Sequence, residues 1–166
     1  NQSVFKQLFI NMGGIDPDNF TLQILKEIDT CNLPSDVCIT VAMGKNSPHK
    51  KSVKAQASIL SYRTEVKVDV ENMAELMTRA DIAIGASGAT TWERCCLGLP
   101  TIQIITANNQ QLIAKNLDKV NAIKLSEVNS LSTLLKTAKH WMLDVSGNAS
   151  KICNGTGASI VIKYLQ

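Results

Sequence analysis

A chain of 166 residues is long enough for one domain with a substantial hydrophobic core. Its apolar share of 45% and charged share of 19% exclude a disordered or fibrous protein. The net charge of +3, with one short basic cluster, lacks the basic stripes of nucleic-acid binders, and no apolar run is long enough to cross a membrane. We therefore expect a globular domain that binds neither nucleic acid nor membrane.

The five cysteines lie in otherwise apolar segments, with no spacing typical of a zinc site. The neighbours Cys95 and Cys96 would form only a strained disulfide with each other. We therefore predict five reduced thiols, a cytoplasmic protein, and neither metal nor cofactor. The chain also begins without a Met and almost directly in a strand, which favours a piece of a longer protein.

Strand-like and helix-like segments alternate along the chain. Six short apolar runs predict strands: VFKQLFINM, VCITVAMG, TEVKVDV, DIAIGA, TIQIIT and NAIKL. Amphipathic segments predict the helices, which are NFTLQILKEID, SPHKKSVKAQASIL, ENMAELMTRA, TTWERCCLGL, NNQQLIAKNLDKV, SEVNSLSTLLKTAKHWML and a Gly-interrupted closing segment, SGNASKICNGTGASIVIKYL. This alternation predicts βαβ units. We expect one doubly wound α/β domain over residues 1–166, with a mostly parallel six-stranded sheet covered on both faces.

Three details refine this pattern. TEVKVDV alternates apolar and polar residues, which predicts a half-exposed strand near a sheet edge. Ser47 is a plausible N-cap for the second helix, with Pro48 at its first position. His140 is expected to be a buried structural residue of a long amphipathic helix.

Polar loops follow four of the predicted strands. They read MGGIDPDN, MGKNSPHK, GASGATTWE and TANNQQ. Ligands of open α/β sheets bind at the carboxyl ends of the strands, where such loops present backbone N–H groups to phosphates and hydroxyls. Four such loops in the expected places predict a nucleotide or phosphosugar site.

Several of these residues have two interpretations. Gly13 and Gly14 are either a tight turn that needs positive φ or a close approach to a diphosphate. His49 is more typical of a surface or capping residue than of a catalyst, so the chain has no convincing general base. The basic cluster is either a solvated helix face or an anion contact; it comprises Lys45, His49, Lys50, Lys51 and Lys54.

The segment SGATTWE also has two interpretations. Thr90 and Glu93 have the spacing of a capping box, in which each side chain bonds a backbone N–H of the first turn. Alternatively, Gly88 lets the backbone approach a ligand, and the Glu93 carboxylate accepts hydrogen bonds from the vicinal hydroxyls of a ribose. The neighbouring polar loops favour the ligand.

The segment GASGATTWERCCLGLPTIQIITANNQQ resembles the nucleotide-binding half of GT-B enzymes, which carry an SG…T…E…GLP block. More narrowly, it resembles the UDP-2,4-diacetamido-2,4,6-trideoxy-β-L-altropyranose hydrolases of pseudaminic acid biosynthesis, most specifically in TTWERCCLGLP. FINMGGIDPDNFTLQIL resembles the first strand and turn of that family, and NGTGA its closing helix. A more distant similarity is to the lipid-intermediate N-acetylglucosaminyltransferase of peptidoglycan synthesis.

This resemblance implies UDP or a UDP-sugar as ligand and the C-terminal half of a GT-B fold. Gly13 and Gly14 would line the diphosphate, and the backbone around Met73 would contact uracil. The implied phosphate loop comprises Ser87, Gly88, Ala89 and Thr90, and Glu93 would hold the ribose. Asn109 and Gln110 would face the sugar, with Asn109 assisting the reaction.

The implied reaction is attack of water at the anomeric carbon with UDP leaving. In the family, the base is a His of an N-terminal catalytic domain, which we expect to be absent here and to be a further partner, so this chain alone should be inactive. Two alternatives stay open. One is the donor-nucleotide domain of a UDP-sugar-dependent glycosyltransferase, and the other is a stand-alone nucleotide-binding module without enzymatic activity.

Overall fold

A computed structural model describes residues 4–156 of the chain. Its strands are β1 (Gln7–Asn11), β2 (Cys38–Met43), β3 (Arg63–Val68), β4 (Ile82–Ala86), β5 (Thr101–Ile104) and β6 (Lys124–Leu125). They form one parallel sheet in the order β3-β2-β1-β4-β5-β6, which confirms the doubly wound six-stranded fold. The order reverses between β1 and β4, so the loops that follow these two strands flank the crevice in which such sheets bind ligands.

The helices lie on both faces of the sheet. They are α1 (Phe20–Asp29), α2 (Lys50–Ile59), α3 (Met73–Thr78), α4 (Thr90–Cys96), α5 (Gln111–Lys119), α6 (Leu131–Lys136) and α7 (Met142–Ile152). Successive side chains of β1 point to opposite faces. Leu8 and Ile10 therefore join the large core under α1, α2 and α6, whereas Phe9 joins a smaller core with Met77 of α3. A third cluster connects α4, α5 and α7.

The edge position predicted for TEVKVDV is confirmed, since β3 is the first strand of the sheet and its residues are exposed or half-buried. The predicted start of the second helix is wrong. Helix α2 begins at Lys50, and the buried Ser47 hydroxyl accepts only a long bond of 3.5 Å from the His49 backbone N–H. Ser47 therefore supports the turn that precedes the helix.

The long helix predicted over SEVNSLSTLLKTAKHWML is divided. Helix α6 ends at Lys136, a 3-10 turn covers Ala138–His140, and α7 begins at Met142. The Trp141 indole N–H donates to the Leu134 carbonyl at 3.0 Å, occupying an oxygen that a continuous helix would use for its own backbone bond. In this arrangement His140 is exposed, which corrects its expected burial. The last part of the closing segment, residues 157–166, lies outside the described residues.

The expectation of five reduced thiols is also corrected. The structure pairs Cys96, at the end of α4, with Cys153, just after α7, as a disulfide with a Cα–Cα distance of 4.8 Å. The other three cysteines are free. The two paired residues are 57 positions apart and meet because α4 packs against α7. No spacing motif in the sequence indicates such a pair.

Candidate functional site

The loop after β1 makes a tight turn against the neighbouring loop. Gly13 has a φ of 97°, a conformation that strongly favours glycine, so the positive φ that the tight-turn interpretation requires is present at this residue. A Cβ added to Gly44, after β2, would lie 2.0 Å from the Gly14 carbonyl oxygen, so the two loops touch through their backbones. A Cβ added to Gly13 or Gly14 would meet no atom within 4 Å. This face of the loop is therefore open to a ligand.

Asp16 holds the same loop to the start of α1, a role that the sequence analysis missed. Its buried carboxylate accepts the backbone N–H groups of Phe20 at 2.8 Å and Thr21 at 2.9 Å. The ring nitrogen Nε2 of His49 lies 2.9 Å from the Pro17 carbonyl oxygen and so connects the loop to the start of α2. His49 was predicted to be a surface or capping residue, and it occupies the N-cap position of α2, although its side chain makes no capping bond. The signal for Asp16 was the Asp-Pro-Asp-Asn run before an amphipathic helix.

The loop after β4 contains the predicted phosphate-binding residues. Ser87 is buried, its backbone N–H donates to the Ile104 carbonyl at 3.2 Å, and its hydroxyl lies 3.1 Å from Gln103 Oε1. Gln103 Nε2 in turn donates to the Thr91 hydroxyl at 2.8 Å. A direct phosphate contact by the Ser87 hydroxyl would require it to leave Gln103. Gly88 faces open space, so the backbone here is accessible.

Arg94 lies beneath this loop and is almost fully buried, with 1% of its surface exposed. Its Nη2 donates to the Ala86 carbonyl at 2.8 Å and its Nη1 to the Thr90 hydroxyl at 3.0 Å. A Cβ at Gly85 would lie 2.5 Å from Nη1, so the guanidinium fits only because this strand residue is glycine. Burial lowers the pKa of Arg94 to about 10, because desolvation disfavours the charged form.

The burial of Arg94 was not predicted, because a single arginine in an amphipathic helix is typically a surface residue. A signal was nonetheless present. Arg94 lies between positions of α4 that face the sheet, Thr91 and Cys95, and an unexplained glycine, Gly85, interrupts the apolar strand before it.

The capping box predicted for Thr90 and Glu93 is not formed. Helix α4 is N-capped by Ala89, which makes no side-chain capping bond, and the Thr90 hydroxyl accepts from Arg94 instead. The Glu93 side chain is exposed and has no hydrogen bond or ion pair within residues 4–156. Its carboxylate is therefore available to an incoming ligand.

The remaining predicted residues lie at the same edge of the sheet. Asn109 is exposed in a 3-10 turn after β5, and Gln110 Oε1 accepts from the backbone N–H of Thr106 at 3.0 Å and from its hydroxyl at 3.1 Å. Met73 is the first residue of α3, where its half-buried side chain packs against the smaller core. The structure thus brings the loops after β1 and β4 together, with Met73 and Asn109 on elements to either side.

A groove with a cavity volume of about 1160 Å³ lies beside the β5–α5 loop, between α1 and the residues before α6. Gln111 is one of its lining residues, but none of the predicted site residues lines it. Within the described range, no group of three His, Cys, Asp or Glu residues is placed to hold a metal ion. The helices in residues 4–156 include none with the length and hydropathy of a membrane span.

Comparisons with known proteins agree with this architecture. The model of the glycosyltransferase family 28 C-terminal domain matches residues 9–154. The spore coat polysaccharide biosynthesis protein SpsG of Bacillus subtilis (strain 168) is 28% identical over 112 residues, which cover 66% of this chain and 32% of SpsG. The chain therefore spans about a third of the length of this curated relative.

Two solved structures share the fold. MurG of Acinetobacter baumannii superposes with a TM-score of 0.73 at 17% identity, over 96% of this chain and 51% of that chain. Anabaena Alr3699/HepE, solved in complex with UDP and glucose, superposes with a TM-score of 0.72 at 14% identity, over 96% of this chain and 48% of that chain. At these identities the two structures show the fold alone, which is that of the Rossmann-like C-terminal half of a GT-B protein.

Proposed function

Because the chain belongs to the glycosyltransferase family 28 C-terminal domain family, we propose that it is the donor-nucleotide domain of a UDP-sugar-dependent glycosyltransferase. One observation carries this proposal most directly. The open backbone at Gly88 and the exposed carboxylate of Glu93 lie five residues apart, on either side of the start of α4, at the point where the strand order reverses. The diphosphate would lie against the open backbone, and the adjacent ribose would bind the carboxylate.

Each part of the nucleotide then has a place at the carboxyl edge of the sheet. The diphosphate lies against Gly13, Gly14 and the loop that comprises Ser87, Gly88, Ala89 and Thr90. Backbone N–H groups at the start of α4 face its charge. The Glu93 carboxylate accepts hydrogen bonds from both ribose hydroxyls, which are donors to an acceptor-only group. The backbone around Met73 contacts uracil, and Asn109 and Gln110 face the sugar.

The family match favours transfer over the hydrolysis that the sequence analysis put first. SpsG, the curated relative, is named for polysaccharide biosynthesis, and HepE was solved with UDP and glucose. A UDP-sugar hydrolase of pseudaminic acid biosynthesis is the second candidate, supported by the specific run TTWERCCLGLP. In both cases we propose that an N-terminal domain completes the cleft and supplies the base, since the His49 ring contacts the Pro17 carbonyl and His140 is exposed on a 3-10 turn.

The nucleotide site is tested by calorimetry with UDP. Glu93→Ala should weaken UDP binding by about 1.5–3 kcal/mol, the usual worth of a hydrogen bond to a charged group. Asp144→Ala is the matched control, because Asp144 is an exposed acid in the first turn of α7, far from the site in sequence, and its loss should leave the affinity unchanged. Equal UDP affinity in Glu93→Ala and the unsubstituted chain would remove the ribose role.

The reaction class is tested on the protein with its N-terminal domain. UDP release from a UDP-sugar should need a sugar acceptor if the protein is a transferase, and should proceed in water alone if it is a hydrolase. Uridine nucleotides should bind better than adenine nucleotides in either case. Equal affinity for both would contradict the donor assignment and favour a binding module of another kind.

A further inference from the structure

The guanidinium of Arg94 connects the two ends of the phosphate loop. Its Nη2 bonds the carbonyl of Ala86, the last residue of β4, and its Nη1 bonds the hydroxyl of Thr90, the first residue of α4. The residues between them, Ser87 to Ala89, make up the rest of the proposed phosphate loop, which ends at Thr90. One buried side chain therefore determines how far apart the strand end and the helix start lie.

The buried charge of Arg94 is attracted by the exposed Glu93 carboxylate, but it is held in no ion pair within the described residues. No carboxylate forms an ion pair with it within residues 4–156, and its Nε–H finds no hydrogen-bond acceptor there. The adjacent acid, Glu93, is exposed to solvent. Burying an unpaired cation opposes folding, and a protein tolerates it where another requirement outweighs that cost. A nearby anionic ligand is such a requirement.

The hydrogen bond from Arg94 Nη1 also orients the Thr90 hydroxyl. Because Thr90 Oγ1 accepts from Arg94 at 3.0 Å, the hydroxyl proton is left to donate elsewhere, and the described part of the chain offers it no acceptor. Thr91 Oγ1, by contrast, accepts from Gln103 at 2.8 Å and from Arg94 at 3.3 Å in the buried interior. Thr90 is half-buried at the loop, so its proton is available to a ligand oxygen.

We propose that Arg94 is a positioning residue for a diphosphate. It holds the backbone from Ser87 to Ala89, leaves the Thr90 hydroxyl as an outward donor and places a buried positive charge behind the loop. This inference rests on the proposed nucleotide-binding function and deepens it. The diphosphate would supply a counter-charge that no ion pair among the described residues supplies. Gly85 leaves the space that this position of the guanidinium needs, since any side chain there would displace it.

The test compares UDP with uridine, which lacks the diphosphate, on the 166-residue chain. In the unsubstituted chain, UDP should bind more tightly than uridine. Arg94→Met keeps much of the side-chain volume without the charge and the donors, and should reduce this advantage by at least about tenfold while uridine affinity stays unchanged. Arg79→Met is the matched control, because it removes an exposed arginine that pairs with Glu75 on α3, and it should keep the advantage.

Two further measurements separate positioning from folding. Arg94→Met removes a buried charge, which favours folding, but it also removes the hydrogen bonds to Ala86 and Thr90, which opposes it. The melting temperature should therefore change little while the UDP advantage falls. If Arg94→Met does not fold, Thr90→Val serves instead, since it removes the outward donor and should also reduce the UDP advantage. When both fold, the two losses should not add in the double variant, because Arg94 acts partly through Thr90.

The outcomes are distinguishable. If the unsubstituted chain binds UDP no better than uridine, the proposed diphosphate site is wrong and the role of Arg94 fails with it. If the unsubstituted chain favours UDP and Arg94→Met retains the full advantage, the role of Arg94 is wrong while the proposed function stands. Equal losses for UDP and uridine, together with a lower melting temperature, would make Arg94 a structural residue only.

Discussion

The contact between Gly85 and Arg94 leads to a quantitative prediction for stability. In Gly85→Ala, the added methyl group would lie 2.5 Å from Nη1, 2.6 Å from Cζ and 3.0 Å from Nη2 of Arg94. Non-bonded heavy atoms prefer about 3.5–4.0 Å, so the guanidinium has to move by about 1 Å. Its bonds to Ala86 and Thr90, now 2.8 Å and 3.0 Å, would then lengthen past the range of good hydrogen bonds.

The expected cost follows from two terms. Overpacking a close-packed site costs about 1–3 kcal/mol, and leaving buried polar groups without partners costs about 1–3 kcal/mol more. Since part of the strain is relieved as the bonds lengthen, we expect Gly85→Ala to lower the free energy of unfolding by about 2–4 kcal/mol. Urea unfolding followed by circular dichroism measures this difference.

Gly88→Ala is the matched control. It adds the same methyl group three residues later, where no atom lies within 4 Å, and should change the free energy of unfolding by less than about 1 kcal/mol. In an Arg94→Ala background the methyl group at Gly85 finds space, so the Gly85→Ala and Arg94→Ala effects should not add. A stability of Gly85→Ala within about 0.5 kcal/mol of the unsubstituted chain would refute this account of the site.

Three other features yield measurable predictions. Asp16→Asn replaces one of two carboxylate oxygens that accept backbone N–H groups of α1, so it should cost about 1–2 kcal/mol in urea unfolding; no change would contradict the anchoring role of Asp16. Reduction of the Cys96–Cys153 disulfide should lower the free energy of unfolding by up to about 4 kcal/mol, as expected for a closed loop of this length, whereas equal stability with and without reductant would contradict the pairing. Burial raises the pKa of the Cys31 and Cys95 thiols above the usual value, so at pH 8 they should react with a thiol reagent far more slowly in the folded chain than in urea; equal rates would contradict their burial.

Much of the fold was predictable because it depends on local patterns. The strand at TEVKVDV shows its half-exposed position by alternation, and apolar runs such as DIAIGA show strands that are covered on both faces. The division of the helix before Trp141 was not predictable in this way. Its periodicity is continuous, and only the contact of the indole with the Leu134 carbonyl shows the break.

The candidate site was likewise predictable only in part. The positions of the polar loops follow from the strand–helix alternation, since parallel strands carry their ligands at one edge. The choice between a capping box and a free carboxylate at Glu93 did not follow, because both use the same residues at the same spacing. In the structure no capping box forms, because the Thr90 hydroxyl accepts a hydrogen bond from Arg94 Nη1.

By itself, therefore, the sequence determined the fold class and the edge of the sheet at which a ligand would bind, since hydrophobic period and polar loops are properties of neighbouring residues. Only the tertiary structure decided which side chains are free and which are occupied. The Ser87 hydroxyl is hydrogen-bonded to Gln103, the Glu93 side chain is exposed, and Arg94 is buried against Gly85. These relations join residues from different strands and helices, and packing in three dimensions is what brings such residues into contact.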